Sequence, residues 1–158
     1  MYAKIKFSTL PLLRKYLLLI FVKKLLCIND SKATSFDASL QSLLNYNQIY
    51  WIVGGVSKYK DNFHLSKAKK RIVKAYIIGK NILYFKKKIK NIIEYKISKN
   101  IKNALTDICK DIKLNKNSKK TILLSPAAAS FDQFNNFENR GAHFKKLAIK
   151  IFKKGLNV

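Results

Sequence analysis

The chain predicts an α/β fold, a Rossmann-like, mostly parallel sheet with helices on both faces, and three observations carry that expectation. Short apolar runs alternate with stretches of helical periodicity from Lys24 onward. Each of the best-formed runs empties into polar or glycine residues, at Asn29-Asp30, Gly54-Gly55 and Ser125-Pro126. The length, 158 residues, is that of one domain with a real core.

Residues 1–24 are read as a poorly specified N-terminal segment and 25–158 as the domain. Arg14-Lys15 and the apolar run Tyr16 to Val22 look at first like a signal or membrane segment. The run is far short of the roughly 20 residues a helix needs to cross a bilayer. Lys23-Lys24 interrupts it, and no A-x-A cleavage pattern follows. A strand is expected over Leu25 to Ile28, then the polar loop Asn29 to Thr34. A helix from about Phe36 to Asn45 puts Leu40, Leu43 and Leu44 on one face, with Ser35 or Asp37 as its cap. Ile49 to Val53 reads as a strand ending at Gly54-Gly55, where positive φ and close backbone approach come without a Cβ penalty.

Leu65 to Ile72 is expected as a short helix, and Ala75 to Ile78 as a strand closed by Gly79. Ile82 to Ile89 reads as helical and Ile92 to Ile97 as extended. Ile101 to Ile112 is helical, with Ile101, Leu105, Ile108 and Ile112 along one stripe. The last strand, Thr121 to Leu124, leads through Ser125-Pro126 and Ala127 to Ala129 to a helix over about Asp132 to Phe152. Ser130 and Asp132 fall where its N-cap is expected, and a helix start of this kind leaves N–H groups free for an anion. Strands and helices at these spacings imply parallel pairing with right-handed crossovers, so the polar loops open together at the carboxyl edge, where open α/β sheets bind ligands.

Composition narrows the function classes. A net charge of +25 favours polyanion binding in general. Here, however, Lys is spread along the whole chain with Asn and Ile, and Arg14, Arg71 and Arg140 are the only arginines. Codon bias toward A+T accounts for that pattern better than selected base readout, which favours arginine forks. The run Lys86-Lys87-Lys88-Ile89-Lys90 is read as a solvated helix face. Cys27 and Cys109 make no C-x-x-C and read as apolar packing residues, compatible with a reducing compartment. His64 and His143 lack ligand-spaced neighbours, and Glu94, Asp107 and Asp111 form no paired-carboxylate site, so no metal site is expected. The five glycines never take the G-x-x-x-x-G-K-[ST] spacing of a triphosphate-binding loop.

Three segments taken together, Asn29-Asp30-Ser31-Lys32-Ala33-Thr34, Trp51-Ile52-Val53-Gly54-Gly55-Val56-Ser57-Lys58 and Leu123 to Arg140 (LLSPAAASFDQFNNFENR), resemble the C-terminal domain of the Mur ligases, and its D-glutamate-adding members most. The resemblance runs from about Cys27 to Lys153 and implies an amino-acid-binding domain of a cytoplasmic, ATP- and Mg²⁺-dependent ligase of peptidoglycan synthesis. In such a ligase an acyl phosphate is attacked by the amine of D-glutamate, which is joined to UDP-N-acetylmuramoyl-L-alanine. N-terminal and central ATPase domains are implied as partners, and the chain is not expected to be active alone.

By the same resemblance Thr34 and Lys58 face the side-chain carboxylate of D-glutamate. Ser130 and Phe137 hold its α-carboxylate, with Phe131 in the same site, and Asp30 and Lys32 lie near the nucleotide. Each also has a plainer reading: Thr34 and Ser130 as helix caps, Lys58 as one surface lysine among many, Asp30 as a turn former, and the phenylalanines as packing. Phe7 to Pro11 resembles the family's F-x-x-LPHR entry to the domain, but Leu12 and Leu13 stand where His and Arg are expected. The competing expectation is a non-catalytic basic domain that binds nucleic acid or anionic surfaces.

Overall fold

A computed structural model describes residues 19–22, 25–58, 61–113 and 118–155. The entry segment Phe7 to Arg14 lies outside them. Six strands form one sheet in the order β1-β2-β6-β3-β4-β5. They are β1 (Leu19–Val22), β2 (Leu25–Asn29), β3 (Ile49–Gly54), β4 (Ile72–Ile78), β5 (Tyr95–Lys99) and β6 (Lys120–Leu124). All pairings are parallel except β1 with β2, which are antiparallel. Part of the segment left unassigned by the sequence reading thus belongs to the sheet: its apolar run supplies the edge strand β1.

Alternation along the strands sorts side chains to the two faces. Tyr50, Ile52, Tyr76, Ile78, Ile122 and Leu124 pack with Ile101, Leu105 and Ile108 of α3 (Ile101–Lys113) and with Phe144, Ala148 and Phe152 of α4 (Phe137–Gly155). On the other face Trp51, Val53, Ala75, Ile77 and Leu123 pack with Phe36 and Leu43 of α1 (Phe36–Asn45) and with Phe85 and Ile89 of α2 (Ile82–Ile89). The central strands β3 and β6 are buried along their whole length, as a sheet covered on both faces requires. Burial pushes the Cys27 thiol up to about 12, so it packs as an apolar group.

Most elements fall within a few residues of expectation, and α1 and α2 coincide with it. Ser35 is the N-cap of α1, its Oγ accepting from Ala38 N at 3.4 Å. Three assignments change. The short helix expected over Leu65 to Ile72 is instead two 3₁₀ turns, Leu65–Lys67 and Lys69–Arg71, and Ile72 opens β4. The extended segment begins at Tyr95, because Ile92 and Ile93 still donate to the Ile89 carbonyl in the turn that follows α2. The last helix starts at Phe137, and Asn136 caps it, its Oδ1 accepting from Asn139 N at 2.7 Å. Ser130 and Asp132 therefore belong to the turn before α4.

Candidate functional site

Parallel pairing puts the carboxyl ends of β2 to β6 at one edge, and the loops following β2, β3 and β6 meet there. The turn after β3 is zipped to the loop after β6. Gly54 N donates to the Pro126 carbonyl at 2.8 Å, while Val56 and Ala129 exchange N–H···O bonds of 3.0 and 2.9 Å. Gly54 and Gly55 have φ of +126° and +138°. A Cβ at Gly54 would overlap the Ile78 carbonyl, and one at Gly55 the Ala129 carbonyl, so the close approach requires both glycines. The turn is held from its other side by Asn81, whose Oδ1 accepts from Ser57 N at 2.9 Å and Ser57 Oγ at 3.3 Å. Lys58 leaves this pinned turn with its side chain exposed to solvent.

The loop after β2 is anchored at Asp30. Its N–H donates to the Leu124 carbonyl at 2.8 Å, and its carbonyl accepts from Ala33 N at 3.0 Å. Its carboxylate accepts from Ser42 Oγ at 2.5 Å and from Ser125 Oγ at 2.9 Å. Burial pushes the Asp30 carboxyl above the usual carboxylate range, and the two hydroxyls oppose the shift without cancelling it. The Ser125 carbonyl in turn accepts from Trp51 Nε1 at 2.7 Å and Ser39 Oγ at 3.1 Å. The Asp30 carboxylate thereby fastens the loop to α1 and to the end of β6. Thr34 is half-buried at the entrance to α1, and Lys32 is exposed on the same loop.

After β6, Ala127 takes the left-handed region with φ of 54° and lets the chain turn back toward Gly55. Ser130 is buried, and its carbonyl accepts from Gln133 N at 3.1 Å and Phe134 N at 2.9 Å. Asp132 reaches across to the loop after β4, where its Oδ2 accepts from Lys80 N at 2.7 Å. Phe131 projects into solvent at 75% exposure, although apolar side chains of its size are ordinarily covered. Phe134 packs against the α3/α4 core and lies 5.4 Å from the His143 ring. Phe137, half-buried, begins α4 beside this loop.

The fold thus brings Asp30, Lys32, Thr34, Lys58, Ser130, Phe131 and Phe137 to one edge of the sheet. The residue the sequence reading left without a role is Arg140. It is 1% exposed, and it donates from Nε to Ser31 Oγ at 2.9 Å and from Nη2 to the Ser31 carbonyl at 2.8 Å. Its signal was an arginine inside a specific motif of a chain that otherwise uses lysine.

No family model matches the chain. Curated relatives do. It is 41% identical over 130 residues to the UDP-N-acetylmuramoylalanine–D-glutamate ligase of Wolbachia sp. subsp. Brugia malayi, covering 82% of this chain and 26% of that protein. It is 39% identical over 126 residues to the enzyme of that name from Rhodopseudomonas palustris, covering 80% and 27%. With that from Chelativorans sp. it shares 42% over 120 residues, covering 76% and 26%. The chain is homologous to the C-terminal domain of the Mur ligases. It spans about a quarter of the length of these Mur ligase relatives.

Proposed function

We propose that this domain binds D-glutamate for an ATP-dependent, cytoplasmic ligase of peptidoglycan synthesis that joins it to UDP-N-acetylmuramoyl-L-alanine. One observation carries the reading: the loops bearing Thr34, Lys58 and Ser130 are drawn to one sheet edge by Gly54-Gly55 and their backbone bonds, in a chain 41% identical to a ligase named for D-glutamate. D-Glutamate has two carboxylates and one amine, so its site needs cationic and N–H donors on fixed backbone. Lys58 and Thr34 are assigned to the side-chain carboxylate. Ser130 and Phe137, with Phe131 alongside, are assigned to the α-carboxylate. The domain's contribution is to hold the amine in line for attack, which is catalysis by positioning.

ATP and Mg²⁺ supply carboxylate activation in ligases of this family. No P-loop spacing occurs in the sequence, and no group of three or more His, Cys, Asp or Glu is placed to hold a metal among the described residues. That chemistry is assigned to the central domain implied by the resemblance, and Asp30 and Lys32 to the edge that meets the nucleotide.

Isothermal titration of the chain with D-glutamate tests the reading. Measurable binding with preference over L-glutamate is expected, and Lys58→Ala weakens it by about tenfold or more, the cost of one charge-assisted contact. Unchanged binding in that variant removes Lys58 from the site. Absence of binding by the unmodified chain removes the D-glutamate reading.

A further inference from the structure

Two adjacent residues of α4 make an unusual contact with the loop after β2. The Arg140 guanidinium grips Ser31 through its hydroxyl and its carbonyl. Gly141, one step on, lies so close to the same loop that a Cβ there would sit 2.7 Å from Asn29 Nδ2 and 3.2 Å from Ser31 Cβ. Asn29 in turn orders the loop, its Oδ1 accepting from Ser31 N at 3.2 Å. The third loop is also within reach: Arg140 Nη1 lies about where a Cβ on Gly55 would touch it, at 3.4 Å, and has no hydrogen-bond partner among the described residues. A buried cation with one nitrogen unsatisfied is costly, and such a group persists where its geometry serves a site. Burial pushes the guanidinium down to about 10, with Asp132 opposing, so it stays charged at neutral pH.

We propose that Arg140 and Gly141 are positioning residues of the amino-acid site, forming a seat on α4 that fixes the 29–34 loop against the Gly54-Gly55 turn and the 125–130 loop and so sets the distance from Thr34 to Lys58 and Ser130. The link from the seat to the ligand rests on the D-glutamate reading above; the seat itself does not. Arg140 is covered by the loops it joins and acts through them. Lysine cannot replace the arginine, since a single ammonium cannot donate to Ser31 Oγ and to its carbonyl from a planar fork while lying against Gly55. A Cβ at 141 would crowd the Asn29 amide and Ser31 Cβ, and displacing that amide removes the acceptor that Ser31 N uses.

The test pairs amide hydrogen exchange with D-glutamate titration on the full chain and on its Arg140→Lys and Gly141→Ala variants. The amides of Ser31 and Ala33 are expected to lose protection in both variants, while those of β3 and β6 keep theirs. Where the unmodified chain binds D-glutamate, both variants are expected to weaken it by about tenfold or more, as a misplaced ligand-holding loop does. Protection at Ser31 and Ala33 that matches the unmodified chain overturns the seat. So does a uniform loss across sheet and loop in both variants, which marks a structural role only. Loop-selective loss with unchanged D-glutamate affinity overturns the link to the amino-acid site. If the unmodified chain fails to bind D-glutamate, that reading fails, and the exchange pattern alone decides the seat.

Discussion

Asp30 is a carboxylate that the fold uses as a fastener. It is buried beside Ser42 and Ser125, and burial raises its pKa above the usual carboxylate range against the pull of their hydroxyls. A carboxyl whose folded pKa is raised contributes stability that is present below its unfolded pKa and is lost as pH rises through the folded value. Asp30→Asn removes that dependence while keeping an acceptor for a serine hydroxyl. Thermal unfolding across acidic to neutral pH is therefore expected to show the variant gaining on the unmodified chain as pH rises. A stability difference that stays constant, or that shifts in favour of the unmodified chain as pH rises, overturns the raised Asp30 pKa. In the sequence Asp30 was visible as part of a polar loop, but its partners were not. Ser42 lies on the next helix and Ser125 at the end of a distant strand, and only folding makes them neighbours.

At the scale of elements, periodicity located α1, α2 and α3 well because each carries an apolar stripe that packs on the sheet. It failed at the start of α4, since Ser130 and Asp132 are the residue types that cap helices and stand just before a long amphipathic run. Both are drawn off by tertiary contacts instead. Asp132 takes the Lys80 amide, Ser130 closes a turn of its own, and the chain enters the helix only at Asn136. Asn136→Ala is expected to cost about 1 kcal/mol, the usual loss on removing an N-cap, measured as a lower midpoint in urea unfolding. Ser130→Ala, by contrast, leaves the α4 cap intact. The short helix read over Leu65 to Ile72 failed differently: its apolar residues Leu65, Ala68 and Ile72 are buried, but two 3₁₀ turns and the first residue of β4 bury them.

For the whole molecule, the charge of +25 is the dominant unspent quantity. Basic residues number 33 against 8 acidic ones, so pairs such as Lys74 with Glu94 and Asp111, and Lys96 with Asp107, can neutralise only a fraction of them. Most cationic charge repels itself across the surface, so added salt should stabilise the fold by screening it. The melting temperature is expected to rise between low and physiological salt in a chloride buffer, where specific anion binding is weak. Over the same range, affinity for a random-sequence DNA duplex is expected to collapse, as a diffuse lysine surface without arginine forks predicts. Binding that persists at physiological salt favours the basic-domain reading over the ligase one. No helix among the described residues is long and apolar enough to cross a membrane, and the apolar run Leu19–Val22 is spent on the sheet edge.

The sequence by itself determined the α/β class, the succession of elements from β2 onward apart from the turns over Leu65 to Arg71, and the loops proposed to carry the site, because hydrophobic periodicity, the glycine pair and the LLSPAAASFDQF run are local properties of the chain. The tertiary structure alone decided that β6 inserts between β2 and β3, that Asp30 ties β6 to α1, and that Arg140 and Gly141 seat the 29–34 loop. Each of these joins residues far apart in the chain through burial and hydrogen bonding, and no local pattern encodes which buried donor meets which acceptor.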